Sequence, residues 1–404
     1  MKGKWYEISL LFFLAVALIG TLLRSVSYVG LPLEYMNLVH AHSHVAFQGW
    51  IYTIMILLLT KTFLTKDQIQ KGRYVLQFKL SVAVVIGVLI SFAMKGYGLY
   101  SIVFSTLFQI LNYWFIYRFI SDTRQHPLRL EKTTSLRFII TGLWLGAIST
   151  LLPFGIGALS ARGLGNSEVY QSMVYSFLHL QYNGWFLFVA IGLFFHFLES
   201  SGLKVDQKHL KRFYVLFVLA VIPAISLSLL GMDFADAVRV PAFLAAALTI
   251  AALVFFVLAL PKNLLAYLSD QEIVVRLFIL GFLSSFILKT TLQSLSALPY
   301  FEAYAFFNKP IVIAYLHLSL IGAVSLVFLA LIVHHKWIKI NALSRAGSFL
   351  FLLCFVFTEI LLAARGLGQI FSQIFLILGS AGMAMGILLK IFSSTLKNKA
   401  HGRI

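Results

Sequence analysis

The sequence predicts an all-α integral membrane protein: twelve transmembrane helices in three pseudo-symmetric four-helix units of about 1–130, 131–265 and 266–404, together one membrane domain. Three observations predict it. Of the 404 residues, 60% are hydrophobic and 11% charged, and the mean hydropathy is +0.92, beyond what a soluble globular chain carries. Apolar runs of roughly 20 residues, the length that crosses a bilayer core about 30 Å thick, recur along the whole chain. One short histidine motif returns three times at a spacing of four such runs.

The predicted spans are 5–24, 38–60, 74–94, 98–118, 136–156, 170–197, 211–231, 239–260, 273–292, 310–334, 347–364 and 369–391. The first is too long for a signal-peptide core and lacks a small-residue cleavage site, so it reads as a retained helix. The connections are short and leave no room for a soluble domain. A single cysteine, Cys354, lies inside the eleventh span. That excludes a disulfide framework, a CxxC metal ribbon and covalent CxxCH heme attachment.

The net charge of +18 follows the positive-inside rule rather than pointing to nucleic acid. With a cytoplasmic N-terminus, the even-numbered connections carry Lys66, Lys71, Arg73, Arg124, Arg129, Lys132, Lys204, Lys208, Lys211 and Arg212. Of the 32 Lys and Arg residues, only Arg24, Lys95, Arg162, Arg239, Lys289, Lys309 and Arg365 fall at the opposite face. The expectation is a multi-pass protein of the cell (inner) membrane, both termini cytoplasmic, with the lipid bilayer as its first partner and no nucleic acid.

Histidine is distributed unevenly. His40, His42 and His44 open the second span, His179 lies in the sixth and His317 in the tenth, all toward the outer end. The segments HVAFQGW from His44, HLQYNGW from His179 and HLSLIGA from His317 align, with glycine five places after each histidine and starts 135 and 138 residues apart. At about 100° per residue, His40 and His44 share a helix face while His42 points nearly opposite. Glycine at the fifth place lets a neighbouring helix, or a flat macrocycle, approach the backbone.

Twelve helices in three groups of four, with histidines near the outer ends of helices two, six and ten, resemble subunit I of the heme-copper oxidase superfamily, which includes the cytochrome oxidases and the nitric oxide reductase large subunit. The segment from His42 through Gly49 also resembles the HAHE segment of the NnrS family of heme- and copper-containing membrane proteins. The resemblance implies a divergent member with one or two b-type hemes and copper as an open addition. It implies low-spin heme ligands at His44 (or His40) and His317, and Tyr315 standing where the family has its high-spin ligand. The family's copper centre draws on a sixth-helix histidine and a histidine pair on the seventh helix. Span 211–231 has no histidine, so a conventional oxygen reductase is not expected.

Neutral imidazole is a common heme-iron ligand, and an open axial position admits a diatomic gas. The candidate cofactor-binding residues are therefore His40, His42, His44, His179 and His317, with Arg24, Arg162 and Arg365 at the level of heme propionates. The metal candidates are His42, His44, His179 and His317, and no catalytic residue is named. The expected function is binding or reducing nitric oxide or oxygen, or accepting electrons from quinol or a cytochrome. Two alternatives stay open: a transporter binding copper or zinc through His40, His42, His44 and His179, and a heme sensor or assembly factor without turnover. Against all of these stands the plain reading that an intramembrane histidine bonds one helix to another.

Overall fold

The computed structural model describes residues 5–30, 33–124 and 133–400, with side chains to 393. Arg129, Lys132 and the expected unit boundary near 130 lie outside the described residues. No strand occurs among them, and eleven helices are long and apolar enough to cross a membrane. The protein is an all-helical, multi-pass membrane protein.

Its long helices are α1 Trp5–Ser25, α2 Tyr35–Phe63, α3 Tyr74–Lys95, α4 Leu99–Arg124, α5 Thr134–Ala161, α6 Glu168–Ser200, α7 Gln207–Val221, α8 Ala235–Ala259, α9 Ile273–Leu295, α10 Lys309–His334, α11 Ala342–Gly366 and α12 Gln373–Ala400. The element that departs from expectation is α7. The predicted span 211–231 is α-helical only to Val221 and continues as a 3-10 turn over Pro223–Ser228. Proline has no N–H to give to the preceding turn and its ring crowds that turn's carbonyl, so the α-helical ladder stops there. This is why eleven, not twelve, helices meet the length of a span.

The chain divides into two compact units, residues 1–126 with 328–404, and residues 127–327. In the first, α2 packs on α1 and α3, α3 on α4, and α11 on α12, while α12 returns to pack on α1. A methyl group on Gly347 would meet the Gly386 carbonyl of α12 at 2.6 Å, so these two helices touch backbone to backbone. In the second, α6 packs on α5, α7 on α8, α8 on α9, and the first half of α10 on α9.

Each of the three helices that carry a copy of the histidine repeat has the same internal defect. A π-helical turn runs over Val45–Ile51 in α2, Leu180–Phe186 in α6 and Leu318–Ser325 in α10. The bonds that close two of these turns reach five residues back, from the Tyr52 N–H to the Phe47 carbonyl and from the Leu326 N–H to the Ile321 carbonyl. The three turns begin immediately after His44, His179 and His317 and hold Gly49, Gly184 and Gly322 at their fifth residue. π-Turns are rare and concentrate at functional sites.

Candidate functional site

In the first unit, α2 places its three histidines on two faces, as helical spacing dictates. His42 turns toward α1, where Nδ1 donates to the Val16 carbonyl at 3.0 Å. A methyl group on Gly20 would come within 3.1 Å of the His42 ring, so the glycine makes room for it. His40 and His44 turn toward the α3–α4 connection. The His44 ring stacks on Phe92 at 4.1 Å and 14°, and the edges of both imidazoles meet the Tyr97 ring, with centroids 4.7 Å from His40 and 6.0 Å from His44.

His44 is addressed at both nitrogens. Nδ1 lies 3.4 Å from Gln48 Nε2 and Nε2 lies 3.3 Å from the Tyr97 hydroxyl. Gln48 Oε1 is buried without a partner. Rotating that amide lets Nδ1–H donate to Oε1, and the Tyr97 hydroxyl can accept or donate, so both tautomers of His44 are accommodated. Tyr97 is 63% exposed and sits between two glycines, of which Gly96 has φ +57°. A side chain at Gly96 would be strained and would strike Asn37 Oδ1.

His179, in the second unit, is fixed. It is 1% exposed, with Nε2 3.0 Å from the Val221 carbonyl and Nδ1 3.1 Å from Asn183 Nδ2. The carbonyl only accepts, so Nε2 carries the proton and Nδ1 takes the amide N–H. The acceptor comes from the break in α7. In a continued α-helix the Ile225 N–H would bond Val221, but here it bonds Ile222, and the Val221 carbonyl goes to histidine instead. Both nitrogens of this expected metal and heme ligand are thus engaged in hydrogen bonds, one of them between helices.

Gln48 and Asn183 occupy the same place in the repeat, four residues after the histidine. His317 has Ile321 there and stays half-buried at the start of its π-turn. The aligned segments HVAFQGW and HLQYNGW carried this amide signal, which sequence reasoning passed over. The repeated glycine is a packing device. A methyl group on Gly49 would meet Val45 Cγ1 at 2.9 Å and Phe12 of α1 at 3.1 Å, and one on Gly184 would meet Leu145 of α5 at 3.3 Å. Trp50 stacks on Phe13 of α1 at 4.2 Å and 8°. In the second copy, Trp185 lies against Gly146 of α5.

The expected propionate cations are placed differently from one another. Arg24 donates to the Leu376 carbonyl at 3.1 Å and to Ser380, while Arg365 bonds Gln373 and the Phe371 carbonyl and lies over the Phe371 ring at 4.8 Å. Gln373 in turn donates to the Arg24 carbonyl at 3.3 Å, joining the two arginines where the ends of α1, α11 and α12 meet. Arg162 caps α5 and is exposed.

Beside His179 lies a polar group that the sequence reading did not assemble. Lys289 of α9, 2% exposed, donates to Gln293 Oε1 at 2.7 Å, and the Tyr315 hydroxyl donates to the same oxygen at 3.1 Å. The Tyr315 and Tyr182 rings meet edge to face at 6.2 Å. Among the described residues, no group of three or more His, Cys, Asp or Glu is arranged to hold a metal ion. No family model matches this chain, and neither does any curated protein.

Proposed function

We propose that this protein is a divergent membrane protein on the plan of heme-copper oxidase subunit I, with twelve crossings in three four-helix units, α7 and its 3-10 extension forming the seventh. On this reading it resides in the cell membrane with both termini cytoplasmic. It holds b-type heme, with His44 and His317 each a candidate iron ligand, and binds or reduces nitric oxide or oxygen, taking electrons from quinol or a cytochrome. The observation that carries the reading is the start of a π-turn directly after each repeated histidine. The backbone thereby repeats where the sequence does.

The residues of α2 suit a heme ligand. In the tautomer with Nδ1–H held by Gln48 Oε1, His44 keeps an Nε2 lone pair for iron, with the amide as its orienting partner. Tyr97, on its glycine-flanked connection, is the group that must turn aside. Bound heme would supply a one-electron couple and an iron at which a diatomic gas can bind. His179 receives no ligand role, because the Val221 carbonyl and Asn183 occupy its nitrogens. Absorption spectra of the detergent-purified protein test the reading: a Soret band should be present and should be lost in both His44→Ala and His317→Ala.

A second reading rests on the approach of His40 and His44 to one tyrosine. Two imidazoles four residues apart on a helix are a common element of copper and zinc sites, and Tyr97 oxygen lies beside the second. Stoichiometric copper or zinc without porphyrin, lost in His40→Ala, would favour this metal-handling role. Metal-free protein that carries heme would eliminate it.

A further inference from the structure

Lys289 is buried in a membrane-spanning helix, and among the described residues no carboxylate pairs with it. Its neighbours are Gln293 Oε1 at 2.7 Å, the Tyr315 ring at 5.9 Å and the imidazole of His179. The same Gln293 oxygen is shared with the Tyr315 hydroxyl. The Tyr182 and Tyr315 rings meet edge to face at 6.2 Å beside it. Thr290, adjacent in α9 and 1% exposed, has a hydroxyl without a partner. An ammonium offers three N–H groups, and among the described residues one of them has an acceptor.

A charged amine removed from water is severely penalised unless an opposite charge and hydrogen bonds compensate it. The local field has one sign, because every side chain named around Lys289 is neutral or, in the case of His179, able only to become positive. The free donors, the single uncompensated charge and the aromatic walls define what fits. We propose that Lys289, Gln293, Tyr315 and Thr290 form a binding site for a small, weakly hydrated inorganic monoanion near the Leu295 end of α9. A divalent, strongly hydrated anion is disfavoured, since the desolvation penalty grows steeply with charge while the site supplies one cation. The site depends on the membrane reading of α9 and not on heme.

Thermal unfolding of the detergent-solubilised full chain tests it, with bromide or nitrate at about 100 mM against gluconate and sulfate of equal ionic strength. Bromide and nitrate should raise the midpoint of the unmodified protein by several degrees, and sulfate should not. Lys289→Met should lose that response and match or exceed the unmodified protein in gluconate, because an uncompensated buried charge is gone, whereas Lys289→Arg should keep it. An unmodified protein insensitive to bromide and nitrate, or a Lys289→Met protein with the full response, overturns the proposal. If Lys289→Met fails to fold, chloride-35 NMR of the unmodified protein decides. A chloride line broadened by the protein and narrowed by a few-fold excess of bromide supports the site, and no broadening beyond that of empty micelles overturns it.

Discussion

The Nε2 of His179 lies 3.0 Å from the carbonyl oxygen of Val221, the last α-helical residue of α7 before Pro223 breaks it. A proline in one helix thus frees a carbonyl, and a histidine in the repeat motif of another takes it. The bond joins α6 to α7 where lipid and protein offer the carbonyl no water, and an unpaired group there is expensive.

His179→Phe leaves the Val221 carbonyl without its donor, and we expect a loss of about 1–3 kcal/mol in unfolding measured in detergent. Pro223→Ala lets the helix reclaim that carbonyl. The two substitutions should therefore be less than additive in a double-mutant cycle. Full additivity would show that the bond and the helix break are independent.

Gly49→Ala and Gly184→Ala separate tight from tolerant packing. The first methyl group would sit 2.9 Å from Val45 Cγ1 and 3.1 Å from Phe12, the second 3.3 Å from Leu145. Overpacking of this kind costs about 1–3 kcal/mol. We expect Gly49→Ala near the top of that range and Gly184→Ala near the bottom, read as shifts in the unfolding midpoint. The reverse order would contradict the assigned contacts.

Gly96→Ala forces a positive φ of +57° on a residue with a side chain and drives its methyl group into Asn37. The strain is about 1–3 kcal/mol, and its relief should displace Tyr97 from His40 and His44. The expected readout is greater Tyr97 accessibility to iodination or hydroxyl-radical footprinting, with the rest of the pattern unchanged.

Asp206 tests the start of α7. Its carboxylate accepts from the His209 and Lys208 backbone N–H groups at 3.0 Å and lies 2.9 Å from His209 Nδ1. The His209 N–H foremost, with its imidazole, holds the carboxyl below the usual range. A lowered folded pKa means stability present above the ordinary value near 3.9 and lost as pH falls through the folded one. Asp206→Ala should thus unfold at a lower temperature at neutral pH, and the gap should close at strongly acid pH. A gap constant with pH would assign the effect to something other than the ionised cap.

Much of this was legible in the sequence, because helices in lipid must satisfy their own backbone and announce themselves by apolar length. The His40/His44 face, the opposite placement of His42 and the packing role of Gly49 and Gly184 all follow from helical spacing. The shortened α7 could have been read from Pro223, yet hydropathy across 211–231 outweighed it. The π-turns leave no apolar signature, since one extra residue in a turn changes bonding and not composition. Lys289, Gln293 and Tyr315 come from two helices, and only the fold brings them to one oxygen. The amides of Gln48 and Asn183 were visible in the aligned segments, but their meaning depends on where each imidazole points.

The measurement that bears most directly on the central claim is the absorption spectrum of the purified protein with pyridine hemochrome analysis, run on the unmodified chain, His44→Ala, His317→Ala and His179→Ala. We expect b-type heme in the unmodified protein, loss of the Soret band in the first two variants, and retention in a less stable His179→Ala. Protein without porphyrin, or equal heme loss in His179→Ala, would contradict it.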